Sequence, residues 1–204
     1  GDAPILLVLP GSRRGEIGRL APAFGEARRP VLARHPSHRV VVPAAPSVAR
    51  AVIGATGSWP GNPLVLDTRG QPAEAAQSQK RAAFAVADTA LAASGTVSLE
   101  LAAAATPMVI AYDMHWLTWQ VMSRMATTDT ATLVNLVSGT RHIPEFLGPA
   151  CQPDAIAPAL DTLLDDTQAR SQQIQAMAGT LSALGQDGPS PGARAATALL
   201  NALA

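Results

Sequence analysis

Ile5-Leu6-Leu7-Val8-Leu9-Pro10-Gly11-Ser12-Arg13-Arg14-Gly15-Glu16-Ile17 carries an unbroken apolar run into a turn of proline, glycine, serine and arginine. A short continuous apolar run closed by Pro-Gly reads as a strand buried on both faces, the kind that parallel sheets use. Working outward, the same pattern returns at residues 39–42, 64–66, 89–92 and 108–111. The segments between, residues 17–33, 47–53, 73–84 and 97–104, have apolar spacing suited to helices. Strand and helix therefore alternate up to about residue 111. Such alternation predicts βαβ units, right-handed crossovers and a sheet covered on both faces. The fold class expected is α/β, a Rossmann-like doubly wound parallel sheet over residues 1–152. From Pro153 the pattern changes to helices only, at residues 153–164, 168–184 and 193–203, separated by turns such as Gly188-Pro189-Ser190-Pro191-Gly192. Residues 153–204 thus read as a helical C-terminal tail, packing on the sheet or on a partner.

Composition narrows the functional classes. The chain has 204 residues, 48% hydrophobic and 15% charged, which suits one well-filled core and excludes a disordered chain. Its apolar stretches are broken well before the ~18 residues a spanning helix needs. The start, Gly1-Asp2-Ala3-Pro4, lacks a basic n-region and a long apolar h-region, so no signal peptide is expected, and the missing initiator Met points to a trimmed chain. Cys151 is the single cysteine, which rules out an internal disulfide and a thiolate cluster and fits a reducing compartment. Net charge is zero, but residues 1–70 hold nine Arg against Asp2, Glu16, Glu26 and Asp67. A local anion site is expected from that asymmetry, and a nucleic-acid surface is not. Lys80 is the only lysine beside fourteen arginines, read as compositional bias rather than chemistry.

In open parallel sheets ligands bind beyond the carboxyl ends of the strands, at a topological switch point. Two loops there are suited to an anion. The first, Pro10 to Ile17, combines glycines that let backbone approach a ligand with the Ser12 hydroxyl and two arginines, and it opens a helix. A plain strand-to-helix turn with solvated arginines is the competing reading. The second, Ala93-Ser94-Gly95-Thr96-Val97-Ser98-Leu99-Glu100, is a small-residue turn feeding another helix, in which Ser94 or Thr96 could serve only as a cap. Glu100 is the only charged side chain between Asp88 and Asp113. It could accept two ribose hydroxyls, pair with Arg13, or sit on the surface where the helix dipole favours an acid. Neither GxGxxG after a strand nor GxxxxGK[ST] is present, so hydride transfer and P-loop ATP chemistry are not indicated. His35, His38, His115 and His142 include no i, i+4 pair, so no metal site is expected. Residues 112–125 concentrate two Trp and three Met, suited to a greasy ligand or lipid boundary and equally to packing on another domain or subunit.

The run Leu9 to Ile17, the run Ala93 to Glu100 followed by Thr106-Pro107-Met108-Val109, and then Leu117-Thr118, Asn135-Leu136 and Pro144-Glu145-Phe146-Leu147 resemble, in order and spacing, the lipid-A-disaccharide synthases. The resemblance covers nearly the whole chain. It implies a GT-B glycosyltransferase, of which this chain would be the C-terminal, nucleotide-binding half, lacking the N-terminal acceptor domain. The family moves 2,3-diacylglucosamine from UDP-2,3-diacylglucosamine to 2,3-diacylglucosamine 1-phosphate, forming the β-1,6 disaccharide of lipid A, without metal or cofactor. It works in the cytoplasm, peripheral to the inner membrane, and the resemblance also implies a homodimer in which the tail after Pro153 would cross over. Carried over residue by residue, Ser12 and Arg13 would meet the diphosphate or sugar, Ser94, Gly95 and Thr96 the diphosphate, Glu100 the ribose and Asn135 the donor. Arg13 would be the catalytic residue, its charge stabilising the leaving UDP. The chain departs from the family at Asp113, where a basic residue is usual, and at residues 126–130, which replace a basic stretch. Those departures keep open a divergent non-catalytic module, with another GT-B UDP-sugar enzyme as a third reading.

Overall fold

A computed structural model describes residues 3–203 apart from Pro60, Thr127 and Asp187. Gly1 and Asp2, on which the reading of the chain start rests, and Thr127 of the 126–130 stretch lie outside the described residues. Five strands fall on the apolar runs: β1 (Ile5–Leu9), β2 (Arg39–Ala44), β3 (Leu64–Asp67), β4 (Thr89–Ala93) and β5 (Met108–Tyr112). A short sixth, β6 (Glu145–Leu147), was not foreseen. All pair in parallel in the order β3-β2-β1-β4-β5-β6, with Leu7 facing Val41 on one side and Ala90 on the other. The chain order reverses between β1 and β4. That gap is the switch point where the two loops were placed.

Because successive side chains on a strand point to opposite faces, the runs feed two cores. Leu6, Val8, Val40, Val42, Leu91 and Val109 pack under α1 (Arg14–Arg34) and α2 (Ala49–Thr56). Leu7, Val41, Ala90, Ala92, Met108 and Ile110 pack under α3 (Ala73–Ala85) and α4 (Val97–Ala103) on the other face. Helix α1 shows the spacing at work, burying Ile17, Leu20, Phe24, Ala27 and Val31. It starts before Ile17, its first apolar residue, because Glu16 at the third helical position accepts the N–H of Arg13 at 3.2 Å and supplies a cap no apolar pattern reveals.

Beyond β5 lie α5 (Trp116–Met125) and α6 (Leu133–Ser138), then β6 and a 3-10 turn at Gly148–Ala150. The tail divides by face. Helix α7 (Pro153–Asp165) sends Ile156, Leu160 and Leu163 into the α1 core, and Asp161 pairs with Arg34 at 2.6 Å. Helix α8 (Thr167–Ala183) sends Ala176 and Met177 into the opposite core. Its buried Gln173 accepts the Met108 N–H at 2.8 Å and donates to the Met108 carbonyl at 3.1 Å, fixing the helix to the sheet backbone. Helix α9 (Pro191–Leu203) is exposed wherever its side chains are described.

Candidate functional site

A cavity of about 570 Å³ opens at the carboxyl ends of β1 to β4. Its floor is made by Leu9, Pro43, Ala44, Leu66 and Ala93, the last residues of those strands or their immediate neighbours. One wall is the β1–α1 loop with Gly11, Ser12 and Arg13, joined by Glu16. The facing wall is the β4–α4 loop with Ser94, Gly95 and Thr96, joined by Glu100. Helix α3 closes a third side with Ala73, Ala76, Gln77 and Lys80. Six of the seven residues singled out from the sequence, from two loops some eighty residues apart, therefore border one space.

Gly11 turns the chain at φ +118°, and a Cβ there would come within 2.7 Å of the Cβ and Oε2 of Glu16. Only glycine lets that carboxylate fold back over the loop. Glu16 Oε2 accepts the backbone N–H groups of Ser12 and Arg13 at 3.0 and 3.2 Å, and Oε1 accepts from Arg13 Nη1 at 2.8 Å. The carboxylate thus sits on two N–H groups and a guanidinium, so the donors of this loop converge on one point at the cavity wall. The Arg13 side chain is 80% exposed, so most of its donor edge is open to a ligand.

Gly95 takes φ +150°, again a conformation for glycine, and a Cβ there would meet no atom within 4 Å. The open space adjoins the cavity. Thr96 is the residue before α4, yet its hydroxyl makes no cap bond. Ser98 instead bonds the Gly95 carbonyl at 2.9 Å. Among the described residues the Ser94 and Thr96 hydroxyls have no hydrogen-bond partner, so the reading of either as a mere cap does not hold.

Glu100 does not pair with Arg13. Its Oε2 lies 2.6 Å from Nζ of Lys80, a residue that composition alone marks only as bias. Spacing carried a signal: Ala73, Ala76, Gln77 and Lys80 fall on one helical face, and Lys80 is the chain's only lysine.

Asn135 is the one expected site residue that does not line the cavity. It is fully buried in α6, where Nδ2 donates to the Ile143 carbonyl at 2.8 Å and Oδ1 accepts the Ile143 N–H at 3.0 Å. A side chain bonded to both polar groups of one residue clamps the segment leading into β6. Glu145 acts beside it, accepting from Thr130 Oγ1 at 2.7 Å and from the Thr132 N–H at 2.6 Å.

A doubly wound parallel sheet with a cavity at its switch point is a Rossmann-like fold, the kind from which GT-B glycosyltransferases build each half. Solved structures agree on the fold: the calicheamicin glycosyltransferase CalG4 superposes with TM-score 0.57 at 20% identity, over 100% of this chain and 45% of that one. The ADP-heptose lipopolysaccharide heptosyltransferase II of E. coli gives TM-score 0.55 at 13% identity, over 80% of this chain and 47% of that one. Sequence is more specific. The lipid-A-disaccharide synthetase family profile matches residues 1–190. The lipid-A-disaccharide synthase of Ruegeria pomeroyi is 58% identical over 204 residues, covering 100% of this chain and 50% of that protein. That of Rhodospirillum centenum is 41% identical over 202 residues, covering 99% and 48%. The chain belongs to the lipid-A-disaccharide synthase family, and it spans about half the length of the curated relatives it matches.

Proposed function

We propose that this chain is the UDP-sugar-binding half of a lipid-A-disaccharide synthase. The whole protein would transfer 2,3-diacylglucosamine from UDP to 2,3-diacylglucosamine 1-phosphate. In that reaction the bond between the sugar's anomeric carbon and the β-phosphate oxygen breaks, and a bond to the acceptor's 6-oxygen forms. UDP leaves with the electron pair, and the acceptor proton goes to a base outside this chain. Arg13 would neutralise charge growing on the leaving diphosphate, a contribution that is larger in the transition state than in the bound substrate. Ser94, Gly95 and Thr96 would bind the diphosphate from the facing loop, with Ser12 beside it and Glu100 on the ribose hydroxyls.

One observation carries this reading: both anion-suited loops border a single cavity at the β1/β4 switch point, with Arg13 on one wall and Glu100 on the other. No described helix is long and apolar enough to cross a membrane. Attachment to the cytoplasmic face of the inner membrane, and pairing of two copies, belong to the same proposal. The exposed Trp116, Leu117, Val121, Met122 and Met125 of α5 would suit either a lipid surface or a protein one.

Calorimetric titration with UDP, with ADP and CMP as controls, tests it. Selective UDP binding is expected, and Arg13→Ala and Glu100→Ala should each weaken it by about 1–3 kcal/mol as charge-assisted hydrogen bonds are lost. Unchanged affinity in both variants overturns the assignment.

A further inference from the structure

Helix α3 contributes little to the core: among its residues only Ala83 and Phe84 are buried, while its earlier turns present Ala76, Gln77 and Lys80 to the cavity. Lys80 is held from two directions. Its Nζ lies 5.4 Å from the centre of the Phe84 ring, which is itself 2% exposed, and 2.6 Å from Glu100 Oε2. The other cation of the cavity, Arg13, is engaged by Glu16. The charged groups are thus sorted into two pairs, Arg13–Glu16 on one wall and Lys80–Glu100 bridging α3 and the facing wall. Among the described residues, Lys80 is the only side-chain partner of Glu100.

The two members of the pair are 30% and 45% exposed, and pairs at that exposure add little to fold stability. Their effect on a ligand is different. An unpaired glutamate at a cavity wall would lose rotamer freedom on binding, whereas one already tied to an anchored ammonium has lost part of it beforehand. We infer that Lys80 is a positioning residue for the nucleotide: it holds Oε2 of Glu100 and leaves Oε1 to accept ribose hydroxyls, so that ribose recognition belongs to the Lys80–Glu100 pair. This rests on the proposed reading of the cavity as a UDP site.

The test is a double-mutant cycle read with two ligands, UDP and 2′-deoxy-UDP, at fixed ionic strength. Wild type should prefer UDP. Lys80→Ala should lower UDP affinity about 3- to 30-fold and erase most of that preference, while changing 2′-deoxy-UDP affinity much less. Lys80→Arg should restore most of the UDP affinity, because it keeps the charge. In a Glu100→Ala background Lys80→Ala should cost less than about twofold more, the signature of residues acting as one unit. An unchanged thermal midpoint in each variant shows that folding is intact. Equal losses for the two ligands, additive with Glu100→Ala, would place Lys80 on the phosphates and overturn the inference; so would unchanged UDP affinity in Lys80→Ala. If wild type binds no UDP, the reading of the cavity fails, and this inference with it.

Discussion

Glu16 and Glu100 border the same cavity, and their different partners show how far single residues can be read from sequence. The spacing Arg13 to Glu16 puts the two one helical turn apart, so their 2.8 Å contact is local. The partner of Glu100 comes from a different helix twenty residues earlier, and its place depends on how α3 crosses the sheet, which no local pattern encodes. Cys151 makes the same point through its surroundings. Sequence left it a lone thiol, whereas in the fold it is 6% exposed beside Asp113. Burial, and then the charge of Asp113, push its pKa up to about 11. At neutral pH the thiolate fraction should therefore be about a hundredth of an ordinary thiol's, since only the thiolate is nucleophilic. Alkylation by iodoacetamide followed by mass spectrometry should show a correspondingly slow native reaction at pH 7 that becomes ordinary in urea. A native rate equal to the denatured one would contradict this environment.

At the scale of elements, the strands were legible where burial on both faces leaves a continuous apolar run, as in β1, β4 and β5. Strand β6 was not, because Glu145-Phe146-Leu147 is three residues at the sheet edge, half-buried, and led by a charged side chain that turns back to hold Thr130 and Thr132. The same local fixing explains Asn135. The donor role of Asn135 came from the family resemblance alone, and no local pattern told that its amide would bond both polar groups of Ile143. Asn135→Ala leaves a buried N–H and carbonyl of Ile143 without partners, and each such loss costs about 1–3 kcal/mol. Urea denaturation should accordingly show a destabilisation of about 2–6 kcal/mol. UDP affinity of the folded protein, measured by calorimetry well below the unfolding midpoint, should stay within about twofold. A large affinity loss with unchanged stability would show instead that Asn135 meets the donor.

Across the whole molecule, stability and exposure are distributed unevenly. Helices α7 and α8 were foreseen as parts of one tail, and both insert side chains into the sheet's cores, one on each face. Helix α9 has the same kind of apolar spacing, yet Leu199, Leu200 and Leu203 are 66–85% exposed and it meets the rest of the chain chiefly through Arg194, which donates to the Leu184 carbonyl at 2.8 Å. Pattern alone could not separate the three helices, because an amphipathic face specifies that something apolar will cover it and not what. The physical consequence is a graded molecule. Removing residues 190–204 should change the unfolding free energy by less than about 1 kcal/mol, as for other exposed segments. Ending the chain before Thr167 would remove Met177, Ala176 and the Gln173 bonds to Met108 and should abolish cooperative unfolding. Hydrogen exchange gives the parallel readout: α9 and the exposed α5 should exchange through local openings of near-zero free energy, while β1, β4 and β5 exchange only with global unfolding. Protection of α9 that rises with protein concentration would mean that a second copy covers its leucines, and the truncated chain would then lose that concentration dependence.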